Sequence, residues 1–368
     1  MPLTLTSVAQ IADLAVDCLI DVRSPAEYAE DHLPGAINLP VMSNEERARV
    51  GTIYKQVSPF DARKIGAAIV ARNAAAHLDG PLADKPGGWR PLLYCWRGGQ
   101  RSGSFTSILQ QIGWRADLIA GGYKSWRRLV VDQLAAPVRV PVVVLDGNTG
   151  TAKTELLAAL AGLGHQVIDL EGLANHRGSL FGAMPGGQPS QKAFEGRLAV
   201  ALAGLDPARA VLIEAESSRI GDLAVPARLW AAICAAPRLR IEAPLPERAA
   251  YLARAYADLS ADADRLAGVI GRLRPLHPAE VIEGWLAQAE AGQMAELAGG
   301  LMACHYDPRY AKHRARQTPG QEAVIAAPSL APDALPGLAA RISAAVAGLV
   351  AAAATQEPAP KTVAGTAA

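Results

Sequence analysis

At 368 residues and 50% hydrophobic content, the chain is long enough to bury one or two substantial cores and too apolar to be disordered over most of its length. Its 36 Lys and Arg nearly balance 35 Asp and Glu for a net charge of +1, so overall charge does not make it a nucleic-acid binder, and an RNA partner would need a local basic surface. No apolar stretch is long enough to cross a bilayer, and the start MPLTLTSVAQIADL lacks the basic residues and cleavage site of a signal peptide; a cytoplasmic protein with no membrane partner is expected. The four cysteines, Cys18, Cys95, Cys234 and Cys304, show no paired short spacing, which argues against a disulfide framework and a structural zinc site, and no metal ligand set is assigned.

In chain order, Cys18 to Val22 reads as a short apolar strand, Pro25 to Glu30 as a helical turn, and Pro91 to Tyr94 as a buried strand with a helix beginning near Ser102. Leu118 to Ala120 runs into Gly121-Gly122, and Tyr123 to Leu134 has helical spacing with Trp126, Leu129 and Val130 on one side. Ala135-Ala136-Pro137 breaks the pattern, after which Val140 to Leu145 reads as the central parallel strand of a second α/β domain. Further strands are expected at Gln166 to Asp169, Ala210 to Ile213 and Leu239 to Ile241, and a long helical part at Glu247 to Leu301. Beyond Thr318 the composition turns to Ala, Pro, Gly and Val; a last helix near Asp333 to Ala352 and a loose tail after Ala351 are expected. The expected division is residues 1–134, residues 138–317, and a terminal piece over 318–368.

The segment Tyr94-Cys95-Trp96-Arg97-Gly98-Gly99-Gln100-Arg101-Ser102 places a cysteine directly after a buried strand and before a helix. Such a loop can curl so that backbone N–H groups face the sulfur, with the helix N-terminus adding positive potential and Arg97 and Arg101 stabilising a thiolate or an anionic chalcogen on it. A lone cysteine on an apolar strand is ordinarily structural, which suits Cys18, Cys234 and Cys304; a core cysteine needs neither the glycine pair nor the arginines that flank Cys95. Asp21 to Tyr28, His32 to Pro40, the Cys95 to Arg101 loop and Gly121-Gly122-Tyr123 together resemble the signature of rhodanese domains. That resemblance implies that Cys95 carries a transferable chalcogen as a persulfide or selenopersulfide, with Asp21 and Arg23 as buttresses of the fold.

After the strand Val142 to Leu145 comes Gly147-Asn148-Thr149-Gly150-Thr151-Ala152-Lys153-Thr154, then a helix. Strand, glycine-rich loop and helix are what a P-loop requires: backbone N–H groups surround phosphate oxygens, Lys153 reaches them, and Thr154 can hold Mg²⁺. Ala152 stands where the second glycine is expected, and its Cβ either crowds the phosphate or strains the backbone if φ is positive. Ile213-Glu214-Ala215-Glu216-Ser217-Ser218-Arg219 follows a strand in the position of a Walker B segment; Glu214 or Glu216 is a candidate for Mg²⁺ or a water, Arg219 for a phosphate, with a surface strand end as the plain alternative.

Over roughly residues 15 to 312 the chain resembles the 2-selenouridine synthase family, which shares this domain order and motifs similar to Gly51 to Gln56, Asp169 to Ser179 and Tyr306-Asp307-Pro308-Arg309-Tyr310. The implied fold is an α/β protein with an N-terminal rhodanese-like domain followed by a P-loop NTPase-like parallel-sheet domain with a helical C-terminal part. The implied activity is a transferase that replaces sulfur by selenium in wobble 2-thiouridine of tRNA. The resemblance further implies that selenophosphate donates selenium and that an S-geranylated intermediate forms from geranyl diphosphate; no tightly bound cofactor is expected, with Mg²⁺ as a candidate ion at the P-loop. His176 and Arg177 are candidates for RNA phosphate or diphosphate, equally explained as a hydrogen-bonded structural loop. Arg127-Arg128, Arg272 with Arg274, and Lys312 to Arg316 are further basic groups for tRNA. Two other readings stay open: a rhodanese sulfurtransferase fused to a nucleotide-dependent kinase or ATPase, and a non-catalytic chalcogen carrier whose P-loop has decayed at Ala152.

Overall fold

The computed structural model describes residues 2–314 and 321–354, which fold as two compact α/β units. The first unit contains residues 1–137 and 189–204, and the second residues 138–188 and 205–368.

In the first unit, β1 (Cys18–Asp21), β2 (Ala36–Asn38), β3 (Pro91–Tyr94) and β4 (Asp117–Leu118) form a parallel sheet in the order β2-β1-β3-β4. Its helices are α1 (Pro25–Glu30), α2 (Asn44–Gln56), α3 (Pro59–Asp79), α4 (Gln100–Ile112) and α5 (Gly122–Ala135). A parallel sheet needs both faces covered. One face carries Ile20, Val22, Leu93, Phe105 and Leu109 in a common cluster; the other carries Leu19, Leu92, Ile119, Trp126 and Val130.

Helices α2 and α3 were not anticipated, although each is announced by a cap. Ser43 Oγ accepts from Glu46 N at 3.2 Å while Glu46 accepts from Ser43 N at 2.9 Å, and Ser58 Oγ accepts from Asp61 N at 3.1 Å with Pro59 at the first helical position.

The second unit begins with β5 (Val142–Gly147), α6 (Lys153–Gly162), β6 (Gln166–Ile168) and α7 (Leu170–Ala174). The chain then returns to the first unit with α8 (Gln191–Ala203), whose Glu195 pairs with Arg127 of α5 and whose Ala199 joins the Trp126 cluster. The expected boundaries therefore change: residues 189–204 are an excursion into the first unit.

The second unit resumes with β7 (Val211–Glu214), the hairpin β8 (Arg219–Ile220) and β9 (Leu223–Ala224), α9 (Ala227–Ala235), and β10 (Arg238–Glu242). The expected long helical part is broken into α10 (Leu245–Ala255), α11 (Ala257–Ser260), α12 (Ala263–Gly271), α13 (Ala279–Glu290) and α14 (Met294–Leu301). A π-turn at Met302–Tyr306 leads into α15 (Asp307–Arg314), followed by β11 (Glu322–Ala326) and α16 (Leu335–Ala354).

The sheet order is β11-β10-β5-β7-β6, all parallel, so the connections diverge on either side of β5 and open a crevice at its carboxyl end. The terminal piece is not a separate appendage. β11 is a strand of this sheet, and Ile325, Leu338, Ile342 and Val346 share one core with Leu156 and Leu160 of α6. The tail expected after Ala351 falls largely outside the described residues, as does Arg316. Among the described residues no helix is long and apolar enough to cross a membrane.

At the carboxyl end of β1, Asp21 and Arg23 are almost fully buried and paired, with Arg23 Nη2 2.6 Å from Asp21 Oδ2 and 2.5 Å from the Asp31 carbonyl oxygen. The guanidinium lies 4.0 Å from the Tyr123 ring centre, and Tyr123 donates to Asp31 Oδ2 at 2.7 Å. Removing one member of such a pair strands the other in the core. Arg23→Ala is expected to lower unfolding stability by about 3–5 kcal/mol, read as a fall in the urea midpoint of the first transition.

Candidate functional site

The chemistry of the first unit gathers at the carboxyl end of β3. Cys95 leaves that strand directly and is buried, and the loop turns back at Gly98 with φ +66° so that α4 starts at Gln100, above the sulfur. Gly99 N donates to Cys95 Sγ at 3.3 Å and Ser102 Oγ donates to it at 3.2 Å. Burial opposes ionisation, but the Ser102 hydroxyl, the backbone N–H groups of Ser102 and Arg97, and more weakly Arg101 outweigh it and hold the thiol below the ordinary cysteine value.

The loop is braced from below by α5. Tyr123 N donates to the Cys95 carbonyl at 2.8 Å and Lys124 N to that of Trp96 at 3.0 Å. Gly122, at φ +56°, approaches so closely that an added Cβ would overlap the Cys95 carbonyl oxygen and lie 2.6 Å from Gly98 N.

The anion loop read from the sequence is thus assembled around Cys95, with the roles redistributed. Arg101 is held by Glu27, at 2.7 and 3.3 Å, rather than by the sulfur; Glu27 in turn closes the capping box of Ser24. The side chain of Arg97 is exposed and Gln100 is exposed at the first turn of α4. Ser102 and Glu27 were not singled out as site residues, although both stand inside quoted motifs; their roles depend on the loop's three-dimensional turn.

In the second unit the P-loop lies between β5 and α6. Gly147 has φ +154°, Gly150 +84° and Ala152 +58°, so the left-handed position anticipated for Ala152 is real. Its methyl is buried in the core cluster that contains Leu156 and Leu157. Lys153 Nζ donates to the Gly147 carbonyl at 3.0 Å. Burial works against its charge, but Tyr310, Glu216, Glu171 and Asp146 raise its pKa and keep it protonated. Asn148 Nδ2 donates to Asp307 Oδ1 at 3.0 Å, and Thr151 Oγ1 donates to the Asn148 carbonyl at 2.9 Å.

Arg248, itself buried, donates to the Thr149 carbonyl at 3.2 Å and binds both oxygens of Asp307 at 3.0 and 2.7 Å. Asp307 of the Tyr306 to Tyr310 motif therefore clamps the loop.

Beside Thr154 lies a trio of carboxylates. Thr154 Oγ1 donates to Glu171 Oε2 at 3.1 Å, Glu171 N donates to Glu214 Oε1 at 2.8 Å, and Glu171 and Glu216 share a side-chain hydrogen bond. Burial and then the charge of Glu216 push Glu171 up to about 8, while burial and the charges of Glu171 and Asp169 raise Glu214 well above the usual carboxylate range. Glu214 Oε2 is buried without a hydrogen-bond partner. An added Cβ on Gly178 would come within 2.6 Å of Glu171 and 2.7 Å of Glu216, so the turn of the Asp169 to Ser179 motif packs directly on these acids.

Glu214 and Glu216 are therefore joined to the loop through Glu171, a residue the Walker B argument did not reach. Arg219 is exposed on β8 and donates to the Asp222 carbonyl at 3.0 Å within its own hairpin. Arg177 pairs with Asp258 at 2.9 Å and lies 4.7 Å from the Tyr256 ring centre; His176 is half-buried, its backbone N–H on the Glu171 carbonyl. Both are engaged in holding the segment that covers the carboxylates.

An apolar cavity opens beside Thr149. Leu252, Leu259, Leu297, Leu301 and Met302 line it, and the hydroxyl groups of Ser179, Tyr256 and Tyr306 belong to residues of the same wall. Ser179 and Tyr256 lie 3.4 Å apart, and burial raises Tyr256 to about 12, so its hydroxyl stays protonated at neutral pH.

A braced cysteine on a four-stranded parallel sheet and a Lys-Thr anion loop on a five-stranded one define a rhodanese-like domain joined to a P-loop domain. Residues 6–129 match the profile of the rhodanese-like domain, and residues 140–269 that of the tRNA 2-selenouridine synthase AAA domain. The chain is 37% identical to the tRNA 2-selenouridine synthase of Alcanivorax borkumensis over 79% of its own length and 88% of that protein's. It is 34% identical to the synthase of Hahella chejuensis over 80% and 84%, and 40% identical to that of Aeromonas salmonicida over 65% and 64%. The chain belongs to the tRNA 2-selenouridine synthase family.

Two outcomes follow from the geometry. Ser102→Ala removes the hydroxyl donor on the sulfur, so the pH midpoint for alkylation of Cys95 by iodoacetamide should shift upward and the rate at pH 7 should fall. Ala152→Gly relieves about 1–2 kcal/mol of left-handed strain and gives up about 0.8 kcal/mol of buried methyl, so chemical denaturation should show a change of about 1 kcal/mol or less.

Proposed function

We propose that the chain is a tRNA-modifying transferase that replaces sulfur with selenium in wobble 2-thiouridine, drawing selenium from selenophosphate and passing through an S-geranylated base made from geranyl diphosphate. The observation that carries this reading is the apolar cavity opening beside the P-loop. An anion cradle next to a leucine-lined cavity suits a ligand with a diphosphate head and a hydrocarbon tail; the void of about 70 Å³ takes only the first part of such a tail, and seating all of it requires the flanking side chains to move.

In the first step the thiocarbonyl sulfur attacks C1 of the geranyl group, the C–O bond to diphosphate breaks, and the base loses its N3 proton. Lys153 and the loop N–H groups take up the charge on the departing diphosphate. Alkylation converts the sulfur into a leaving thiol: the selenium of selenophosphate attacks C2, the C–S bond breaks and the S-geranyl thiolate leaves and takes a proton, and water then cleaves the P–Se bond, releasing phosphate and leaving selenium at C2. Cys95, whose thiol the loop holds below the ordinary cysteine value, is the nucleophile that the other unit offers to this second step. Among the described residues no group of three or more His, Cys, Asp or Glu forms a metal-holding cluster. Magnesium arriving with a diphosphate would meet the Thr154 hydroxyl and Glu171 or Glu216, with phosphate oxygens and water completing its shell. A tRNA substrate implies a cytoplasmic location.

The full chain, incubated with 2-thiouridine-bearing tRNA and geranyl diphosphate, should yield the S-geranyl nucleoside by mass spectrometry, and 2-selenouridine once selenophosphate is added. Lys153→Ala should cut geranylation tenfold or more, by about 1.5–3 kcal/mol for a charged hydrogen bond. Ala298→Phe, which fills the cavity, should raise KM for geranyl diphosphate about tenfold, the value of roughly two buried methylenes, and leave inhibition by inorganic diphosphate unchanged. ATP hydrolysis that depends on Lys153, with no S-geranyl nucleoside formed, would instead favour the fused kinase or ATPase.

A further inference from the structure

The cleft above Cys95 has a volume of about 960 Å³, at the upper end for small-ligand sites, and lies wholly within the first unit. Helices α2 and α3 form one wall and the cysteine loop the other. Its lining holds six cations, Arg47, Lys55, Arg63, Lys64, Arg97 and Arg101, and no carboxylate. In a chain of net charge +1 that is a marked segregation of sign. Among the described residues, Lys55, Arg63, Lys64 and Arg97 form no ion pair. Two large aromatics also face this opening with much of their surface in solvent: Tyr54 is 53% exposed and Phe60 66%.

The geometry points to this cleft as the seat of single-stranded RNA, with Tyr54 and Phe60 stacking on unpaired bases of the substrate loop, the free cations on its phosphates, and one flipped base reaching down to Cys95. This rests on the reading of the chain as a tRNA-modifying enzyme. Three features favour RNA over the other anions that six cations could attract. A small anion needs two or three donors and no aromatic surface, whereas here the charge is spread over two helices and a loop. An acidic peptide uses the cations but has no flat face for exposed rings. Base stacking on aromatics beside a cationic track is the recurring solution for single-stranded nucleic acid. A reactive group at the bottom of a cleft also requires the target base to leave its stack, and Cys95, only 4% exposed, is such a group. Of the basic groups marked from the sequence, Arg127 fits this role less well, since it is tied to Glu195.

The test uses the full chain and a fluorescent anticodon stem-loop carrying 2-thiouridine, with affinity measured across a salt series. Tyr54→Ala or Phe60→Ala should weaken binding about tenfold, in keeping with the value of a base–aromatic stack, with the salt dependence and melting temperature unchanged, and Tyr54→Phe should restore it. Arg63→Ala should reduce the slope of log K against log salt by about 0.7, one phosphate contact on a single strand. A fully paired duplex of equal length should bind more weakly than the stem-loop. Equal binding of duplex and loop, indifference to Tyr54 and Phe60, or equal competition by polyglutamate would overturn the proposal. Nucleoside analysis separates the two claims. A wild-type chain that makes 2-selenouridine while the aromatic variants bind and convert tRNA normally refutes the surface alone, and a wild-type chain that makes none refutes the functional reading beneath it.

Discussion

The backbone of Gly122 lies against the underside of the Cys95 loop with no room for a side chain, and the cysteine site is built on that contact. Because a Cβ there would overlap the Cys95 carbonyl oxygen, the first turn of α5 can come close enough for Tyr123 N and Lys124 N to bind the carbonyls of Cys95 and Trp96. Those two bonds point the loop's carbonyls downward and leave its N–H groups free to face the sulfur, which is the condition for an anion nest. The thiolate is then favoured by orientation more than by net charge. Arg101 is occupied with Glu27, and the sulfur's direct partners are an amide and a hydroxyl.

The P-loop is held by a different device. Its outer side is fixed by the Asn148–Asp307–Arg248 chain of hydrogen bonds, and its inner side faces the carboxylate trio, in which burial and a neighbouring charge raise Glu171 to about 8 and Glu214 well above the usual carboxylate range, while burial raises Glu216 against the pull of Lys153. The loop therefore presents Lys153 and its amides to an anion beside a cluster in which proton loss is opposed. Any cation drawn in with a diphosphate would favour release of those protons, so anion binding and ionisation of Glu171 and Glu216 are coupled by charge.

What was legible in the sequence was local. Strand, Gly-rich turn and helix follow one another within a dozen residues at both Cys95 and Lys153, and short-range patterns suffice to find them. The parallel sheets followed from continuous apolar runs such as Val142 to Leu145. What escaped was long-range or weakly patterned. β11 lies in an Ala-rich stretch and is a strand because β10 offers it a partner; α2 and α3 have a weak apolar stripe, and only their Ser43 and Ser58 caps announce them. Glu171 and Arg248 act on a loop from 17 and 99 residues away, distances at which single-sequence reasoning has no purchase.

Ala152 shows how such a local departure should be weighed. Read alone, an alanine in place of a P-loop glycine suggests a decayed loop, and the non-catalytic carrier reading drew its motive from that. The structure gives the methyl a function of its own: it closes the top of the α6 core against Leu156 and Leu157, and that burial offsets much of the left-handed strain. The same strain would be hard to explain in a loop under no demand, because an alanine free to relax would leave the left-handed region. Lys153, Thr154, the Asp307 clamp and the carboxylate trio around it are all in place. The substitution thus trades backbone ease for core packing.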